Sequence, residues 1–159
     1  MRQQNAGKLS EGLPMRKTKI LCADDEPINL RLLQAILTAE GYEIISATNG
    51  QEALSILDTQ APALILLDVM MPYIDGYEVC RKIKMDERLR NIPVIMLTAL
   101  KSTEERIKGI EAGAEDFISK PFDRSEVLAR IAMLLQVKGL NDRLNDAYMN
   151  ITQLTSFGE

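Results

Sequence analysis

From Thr18 onward, short and nearly continuous apolar runs alternate with amphipathic stretches. Runs that are apolar at most positions suit strands covered on both faces, and helix-length intervals between them suit a parallel α/β sheet. The pattern predicts five strands, at Lys19–Ala23, Tyr42–Ala47, Ala63–Leu67, Pro93–Leu97 and Asp116–Ser119. The third run, ALILL, is apolar at every position, whereas the second is the most mixed and is therefore placed at a sheet edge. Helices fill the intervals and their ends carry capping signals. Pro27 suits a first helical turn and Gly41 a C-terminal stop. Asn49 with Glu52, Ser102 with Glu105 and Asp123 with Glu126 each set a capping residue three positions before a glutamate, and Gly113 closes the fourth helix. The expectation is a doubly wound α/β domain of five β–α units over residues 18–137.

Both flanks break this pattern. Residues 1–17 are polar without sustained period and read as a flexible leader. Either Met15 is the start and the leader an upstream extension, or the leader is an appended segment. After the domain, Val137, Leu140, Leu144, Ala147, Ile151 and Leu154 recur at alternating spacings of three and four, the period of a coiled-coil seam. The stretch is short and contains Gly139. Two readings stay open for residues 138–159: a helix folding back on its own domain, or a dimeric helical linker to an absent effector. The final LTSFGE carries no cap and reads as a cut.

Composition narrows the chemistry. The chain has 159 residues, 46% hydrophobic and 26% charged, an ordinary globular mixture, but no histidine and no tryptophan. Without histidine there is no Ser-His or Cys-His nucleophile pair, no His-ligated metal and no imidazole base. Carboxylates, hydroxyls, lysine and a bound cation remain. The net charge of -4 argues against direct nucleic-acid or anionic-membrane contact. Cys22 and Cys80 sit among apolar neighbours without C-x-x-C spacing, as reduced buried thiols do. No apolar stretch approaches the ~20 residues of a membrane helix, and the N-terminus lacks a signal core. The expectation is a soluble, cytoplasmic protein.

Candidate chemistry collects at the strands' carboxyl ends, where such sheets bind ligands. Asp24 and Asp25 follow the first strand, Asp68 the third, Thr98 the fourth and Lys120 the fifth. Singly, each has an ordinary role as cap, turn former or solvated charge. Together they bring three carboxylates into one crevice. Two unit charges ~4 Å apart at an effective dielectric of ~20 repel by about 4 kcal/mol, so a cation must offset them. Lys120 supplies one charge and a divalent ion two more. All-oxygen donors favour Mg²⁺ over Zn²⁺. A metal, a lysine and a hydroxyl around one carboxylate make a cradle for a phosphoryl group, with Asp68 placed to attack phosphorus. Thr98 would donate to a phosphoryl oxygen.

The segments LCADDEP, LILLDVMMPYIDGYE, VIMLTA and DFISKPF resemble the response regulator receiver domain of two-component signalling, a CheY-like family, over residues 18–137. That resemblance implies a five-stranded sheet in order 2-1-3-4-5 with five surrounding helices. It implies that Asp68 accepts a phosphoryl group from a histidine on a separate kinase or phosphotransfer protein, which suits a chain without histidine. It further implies direct Mg²⁺ ligation by Asp25, Asp68 and the Met70 backbone carbonyl, with Asp24 acting largely through water. Thr98 and Lys120 would hold phosphoryl oxygens, and the bond before Pro121 would be cis. Phe117 would turn inward when Thr98 moves toward the phosphate; the alternative is a permanently buried core ring. Met70, Met71 and Leu100 either leave a hydrolytic water unoriented, giving a long-lived phospho-form, or merely fill loop volume. Homodimerisation would use the C-terminal helix, the last receiver helices or both. The closing segment is also similar to those joining receivers to cyclic-dinucleotide signalling enzymes. Residues 138–159 are too few for a catalytic output domain, so chemistry beyond the chain's own phosphorylation is not expected.

Two competing functions fit less well. A haloacid dehalogenase-type phosphatase also uses an aspartyl phosphate and Mg²⁺, but needs a second acid where Met70 stands. A flavodoxin-like FMN carrier needs a Ser/Thr/Gly-rich loop where ADDEP stands.

Overall fold

The computed structural model describes residues 17–99 and 102–157, save the side chains of Asn141 and 151–157. The leader therefore lies outside the described residues, apart from Lys17. The elements run β1 (Lys19–Ala23), α1 (Pro27–Ala39), β2 (Glu43–Ala47), α2 (Gly50–Leu57), β3 (Leu64–Asp68), α3 (Gly76–Met85), β4 (Val94–Thr98), α4 (Thr103–Ala112), β5 (Asp116–Ser119) and α5 (Arg124–Phe157). The sheet is parallel in order β2-β1-β3-β4-β5, with the mixed β2 at one edge.

Strand alternation sends side chains to two apolar layers. Leu21, Ala23, Ile65, Leu67, Val94 and Met96 pack against α2, α3 and Ala112 of α4. Ile20, Cys22, Leu64, Leu66, Ile95 and Leu97 pack against α1 and the first turns of α5. Both faces of β3 and β4 are thus buried, which is why those strands carry almost no polar residue. The cysteines are free and buried, on opposite sides of the sheet.

The predicted ends hold with small shifts. Asn49 accepts from the Glu52 N–H at 2.8 Å, Ser102 from that of Glu105 at 3.2 Å and Asp123 from that of Glu126 at 2.9 Å. Gly113 closes α4 with φ 99°, a left-handed conformation. β3 and β4 start and end one residue later than predicted, because Asp68 still pairs with Leu97 and Thr98 with Ser119. A polar side chain ends an apolar run without ending the backbone ladder.

The largest departure concerns the C-terminal segment. α5 runs unbroken through 34 residues, a rod of about 50 Å at ~1.5 Å per residue, with no interruption at residue 137 or at Gly139. Lys138, Asp142, Leu144 and Asn145 line clefts beside the amino ends of the strands. Val137, Leu140 and Leu144 are 47%, 50% and 67% exposed. The segment is thus a continuous helical extension, and Val137 and Leu140 are not packed into the domain's core. Ile151 and Leu154 lie outside the described side chains. Among the described residues no helix is long and apolar enough to cross a membrane.

Candidate functional site

β1 and β3 are neighbours although β2 lies between them in sequence, so the connections leave this point on opposite faces and open a crevice above the carboxyl ends. Asp24 and Asp25 follow β1, Asp68 ends β3, Thr98 ends β4 and Lys120 follows β5. All five candidates gather there. A cavity of about 370 Å³ is lined by Asp25, Asp68, Met70, Thr98 and Lys120 among others.

Asp24 and Asp68 are almost fully buried, Thr98 nearly so, and Asp25 is exposed at the rim. One carboxylate oxygen from each aspartate lies within 4.8 Å of the others. Lys120 Nζ sits 3.0 Å from Asp68 Oδ1 and 3.2 Å from Asp24 Oδ2. The Lys120–Pro121 peptide bond is cis. Asp24 Oδ1 accepts from the Glu26 N–H at 2.9 Å, whereas Oδ2 is buried and receives no hydrogen bond.

These surroundings set the protonation chemistry. Burial pushes the Asp68 carboxyl up to about 6; hydrogen bonding to Lys120 opposes the rise, and the Asp24 charge adds to it. Burial of Lys120 lowers its pKa, but Asp68 and Asp24 outweigh this and hold the ammonium above its ordinary range. The Met70 backbone N–H also stabilises the Asp68 carboxylate. One lysine against three clustered carboxylates leaves the crevice short of positive charge.

Several supporting residues were not singled out by sequence. Asp75 caps α3, accepting from the Glu78 N–H at 2.9 Å. At Gly76 an added Cβ would lie 2.2 Å from the Asp68 carbonyl oxygen, so only glycine lets α3 begin this close to the end of β3. The dipeptide Asp75-Gly76 was the available signal. Met70 is 69% exposed at the cavity mouth while Met71 is buried, so only Met71 fills the core. Leu100 lies outside the described residues. Phe117 is half-buried and its ring lies against Gly109.

An acidic crevice with an inward lysine and a threonine, at the switch point of a 2-1-3-4-5 sheet, defines a phosphorylation-controlled α/β signalling domain. The family model for the response regulator receiver domain matches residues 20–132, and the chain belongs to that family, the phosphorylation-dependent switches of two-component signalling. Response regulator PleD of Caulobacter vibrioides is 48% identical over 126 residues, covering 79% of this chain and 28% of that protein. The probable transcriptional regulator ycf27 of Porphyridium aerugineum is 47% identical over 122 residues, covering 77% and 50%. The chain thus spans about a quarter to a half of these curated relatives. Among solved structures, the receiver domain of sensor histidine kinase PA1611 from Pseudomonas aeruginosa PAO1, with a magnesium ion coordinated in its active site cleft, superposes with a TM-score of 0.72. It is 30% identical, covering 76% of this chain and 99% of that one.

Proposed function

We propose that this chain accepts a phosphoryl group on Asp68 from a phosphohistidine of a separate kinase or phosphotransfer protein and relays that state to an output domain. The observation that carries the reading is the buried Asp68 carboxylate with Lys120 Nζ at 3.0 Å and two further carboxylates beside it. A carboxylate oxygen of Asp68 attacks phosphorus, a P–O bond forms, the donor's P–N bond breaks and its imidazole leaves. Lys120 and the Thr98 hydroxyl face the phosphoryl oxygens and stabilise their charge. The chain's chemistry is limited to its own phosphorylation and dephosphorylation.

The residues fit Mg²⁺. The donors are all oxygen, three carboxylates converge within 4.8 Å, and Asp24 Oδ2 is buried without a hydrogen bond. Asp25, Asp68 and the Met70 carbonyl would hold the ion directly and Asp24 through water. When bound, it supplies the positive charge that the crevice lacks and shields the incoming phosphoryl oxygens. A haloacid dehalogenase-type phosphatase is less well supported, because position 70 offers a thioether where that chemistry needs an acid.

Phe117 is the natural reporter of the switch: half-buried on β5, in register with Met96 of β4, it turns inward when Thr98 moves. The partner of the α5 stripe is a second copy of this chain. A cytoplasmic location suits the two unpaired cysteines, and the net charge of -4 disfavours direct nucleic-acid contact.

The test is incubation with acetyl phosphate and Mg²⁺ followed by intact mass. One phosphoryl addition is expected, lost in Asp68→Asn and without Mg²⁺. Uptake by Asp68→Asn at the wild-type rate would overturn the assignment.

A further inference from the structure

Of the four helices α1 to α4, α4 is the most weakly seated. Only Gly109 and Ala112 of its ten residues are buried, and Ile107 and Ile110 are 47% and 63% exposed. Besides Ala112 in the core, two contacts of different kinds hold it. In mid-helix the Phe117 ring covers Gly109 so closely that an added Cβ would lie 2.4 Å from Cε1. At the first turn the Tyr77 hydroxyl, from α3, donates to the Glu105 carboxylate and lies 3.2 Å from the Glu105 carbonyl oxygen.

The Tyr77 contact joins two parts of the site. Its base is fixed, because Tyr77 is 8% exposed and follows Gly76, which packs on the Asp68 carbonyl and donates its N–H to Val69 O at 2.9 Å. Its far end holds the turn that Ser102 caps through the Glu105 N–H. Residues 99–102 alone connect that turn to Thr98. A shift of Thr98 toward a phosphoryl oxygen must be absorbed by this short connection or passed on to the first turn of α4. The phenol is buried, and burial followed by the hydrogen bond and charge of Glu105 pushes its pKa above the ordinary range, so it remains a donor at physiological pH.

We propose that Tyr77 is a positioning residue: through Glu105 it latches the first turn of α4, and with it the Thr98 end of β4, in the unphosphorylated arrangement. This rests on the reading of Asp68 as phosphoryl acceptor with Thr98 facing the phosphate. The latch opposes the motion that accompanies phosphorylation, so releasing it favours the phosphorylated arrangement. Removing the hydroxyl keeps the ring's packing and deletes only the bond. Glu105→Gln keeps a side-chain acceptor; Glu105→Ala removes it, leaving the hydroxyl only the weaker 3.2 Å contact with the Glu105 carbonyl oxygen, and keeps the Ser102 cap on the backbone.

The experiment uses the full chain in two arms. Without a phosphodonor, amide hydrogen exchange over residues 103–112 is expected to be faster in Tyr77→Phe and Glu105→Ala, with Glu105→Gln near wild type. With acetyl phosphate and Mg²⁺, initial phosphoryl uptake read by intact mass should rise about two- to tenfold in the first two variants, the factor one net hydrogen bond is worth, and stay near wild type in Glu105→Gln. A purely structural role would lower the melting temperature and leave uptake unchanged, which overturns the proposal, as does slower uptake in Tyr77→Phe. Should Tyr77→Phe fail to fold, Glu105→Ala against Glu105→Gln decides. Should wild type take up no phosphoryl group, the reading of Asp68 falls, and the exchange arm alone decides whether Tyr77 latches α4.

Discussion

Asp68 is 3% exposed and shares its crevice with two other carboxylates, so even with Lys120 at 3.0 Å its charged form is held at a cost to the fold. Its carboxyl is raised to about 6 in the folded chain, against an ordinary value near 3.9 when unfolded. A raised carboxyl pKa favours the fold while the group is protonated: that contribution is full below pH ~4 and is lost as pH rises through about 6. Asp68→Asn, measured in EDTA, should therefore be more stable than wild type by ~1–3 kcal/mol at pH 7.5, with the gap closing toward pH 4. Denaturant melts at both pH values check this; a variant less stable at pH 7.5 contradicts it. Mg²⁺ should raise the melting temperature of wild type more than that of the variant. Gly109 poses the opposite problem. Glycine in mid-helix costs about 1 kcal/mol against alanine, yet a Cβ there would meet the Phe117 ring at 2.4 Å. Gly109→Ala should therefore destabilise by ~1–3 kcal/mol, as overpacking does, and the same change in a Phe117→Ala background should be neutral or stabilising. Equal effects in both backgrounds would show that the ring does not depend on this notch.

Elements were legible where their signals are local, and illegible where they depend on distant partners. The strands were visible because ALILL and its counterparts have no solvent face, and the caps at Asn49, Ser102 and Asp123 because capping needs only a three-residue spacing. The acid crevice was visible because polar residues at strand ends converge in any doubly wound sheet. Lys84 was not visible. Its Nζ donates to Ile92 O at 2.8 Å and Arg90 O at 3.2 Å and pairs with Glu115 Oε1 at 2.5 Å, while Glu115 Oε2 accepts from the Val94 N–H at 2.6 Å. This clasp ties the end of α3 to the start of β4 and the approach to β5 across 31 positions that no periodicity relates. Glu115 is partly open to water, so the ion pair itself is screened and the hydrogen bonds carry most of the effect. Lys84→Met keeps the stem and strands two carbonyls, and should lower stability by ~1–3 kcal/mol, several degrees in melting temperature, without altering phosphoryl uptake. A melting temperature equal to wild type would show the clasp to be dispensable.

At the scale of the whole molecule, the feature that sets this chain apart from a bare α/β sandwich is the rod of α5. Its heptad period was readable, but a period does not say which way a stripe faces, and that decides between folding back and pairing. Lys138, Asp142, Leu144 and Asn145 line clefts at the domain's underside, while Val137, Leu140 and Leu144 remain 47%, 50% and 67% exposed. Apolar side chains repeated along a protruding helix are matched by an identical stripe on a second copy, side by side, with large residues at the seam. The seam is short and Gly139 weakens the helix, so the dimer should be concentration-dependent, dissociating in the micromolar range rather than obligate. Sedimentation equilibrium of the wild-type chain should show a reversible monomer–dimer equilibrium, and Leu140→Glu with Leu144→Glu should give monomer at every concentration. Because both leucines are exposed in the single chain, the melting temperature of the receiver in dilute solution should hardly change. A chain cut after Val137 should likewise be monomeric and still accept phosphoryl from acetyl phosphate. A wild-type monomer at 100 µM, about where a micromolar equilibrium would be saturated, sinks the pairing. A dimer that survives the cut moves the interface onto the receiver itself, with the exposed Ile107 and Ile110 of α4 as its first candidates.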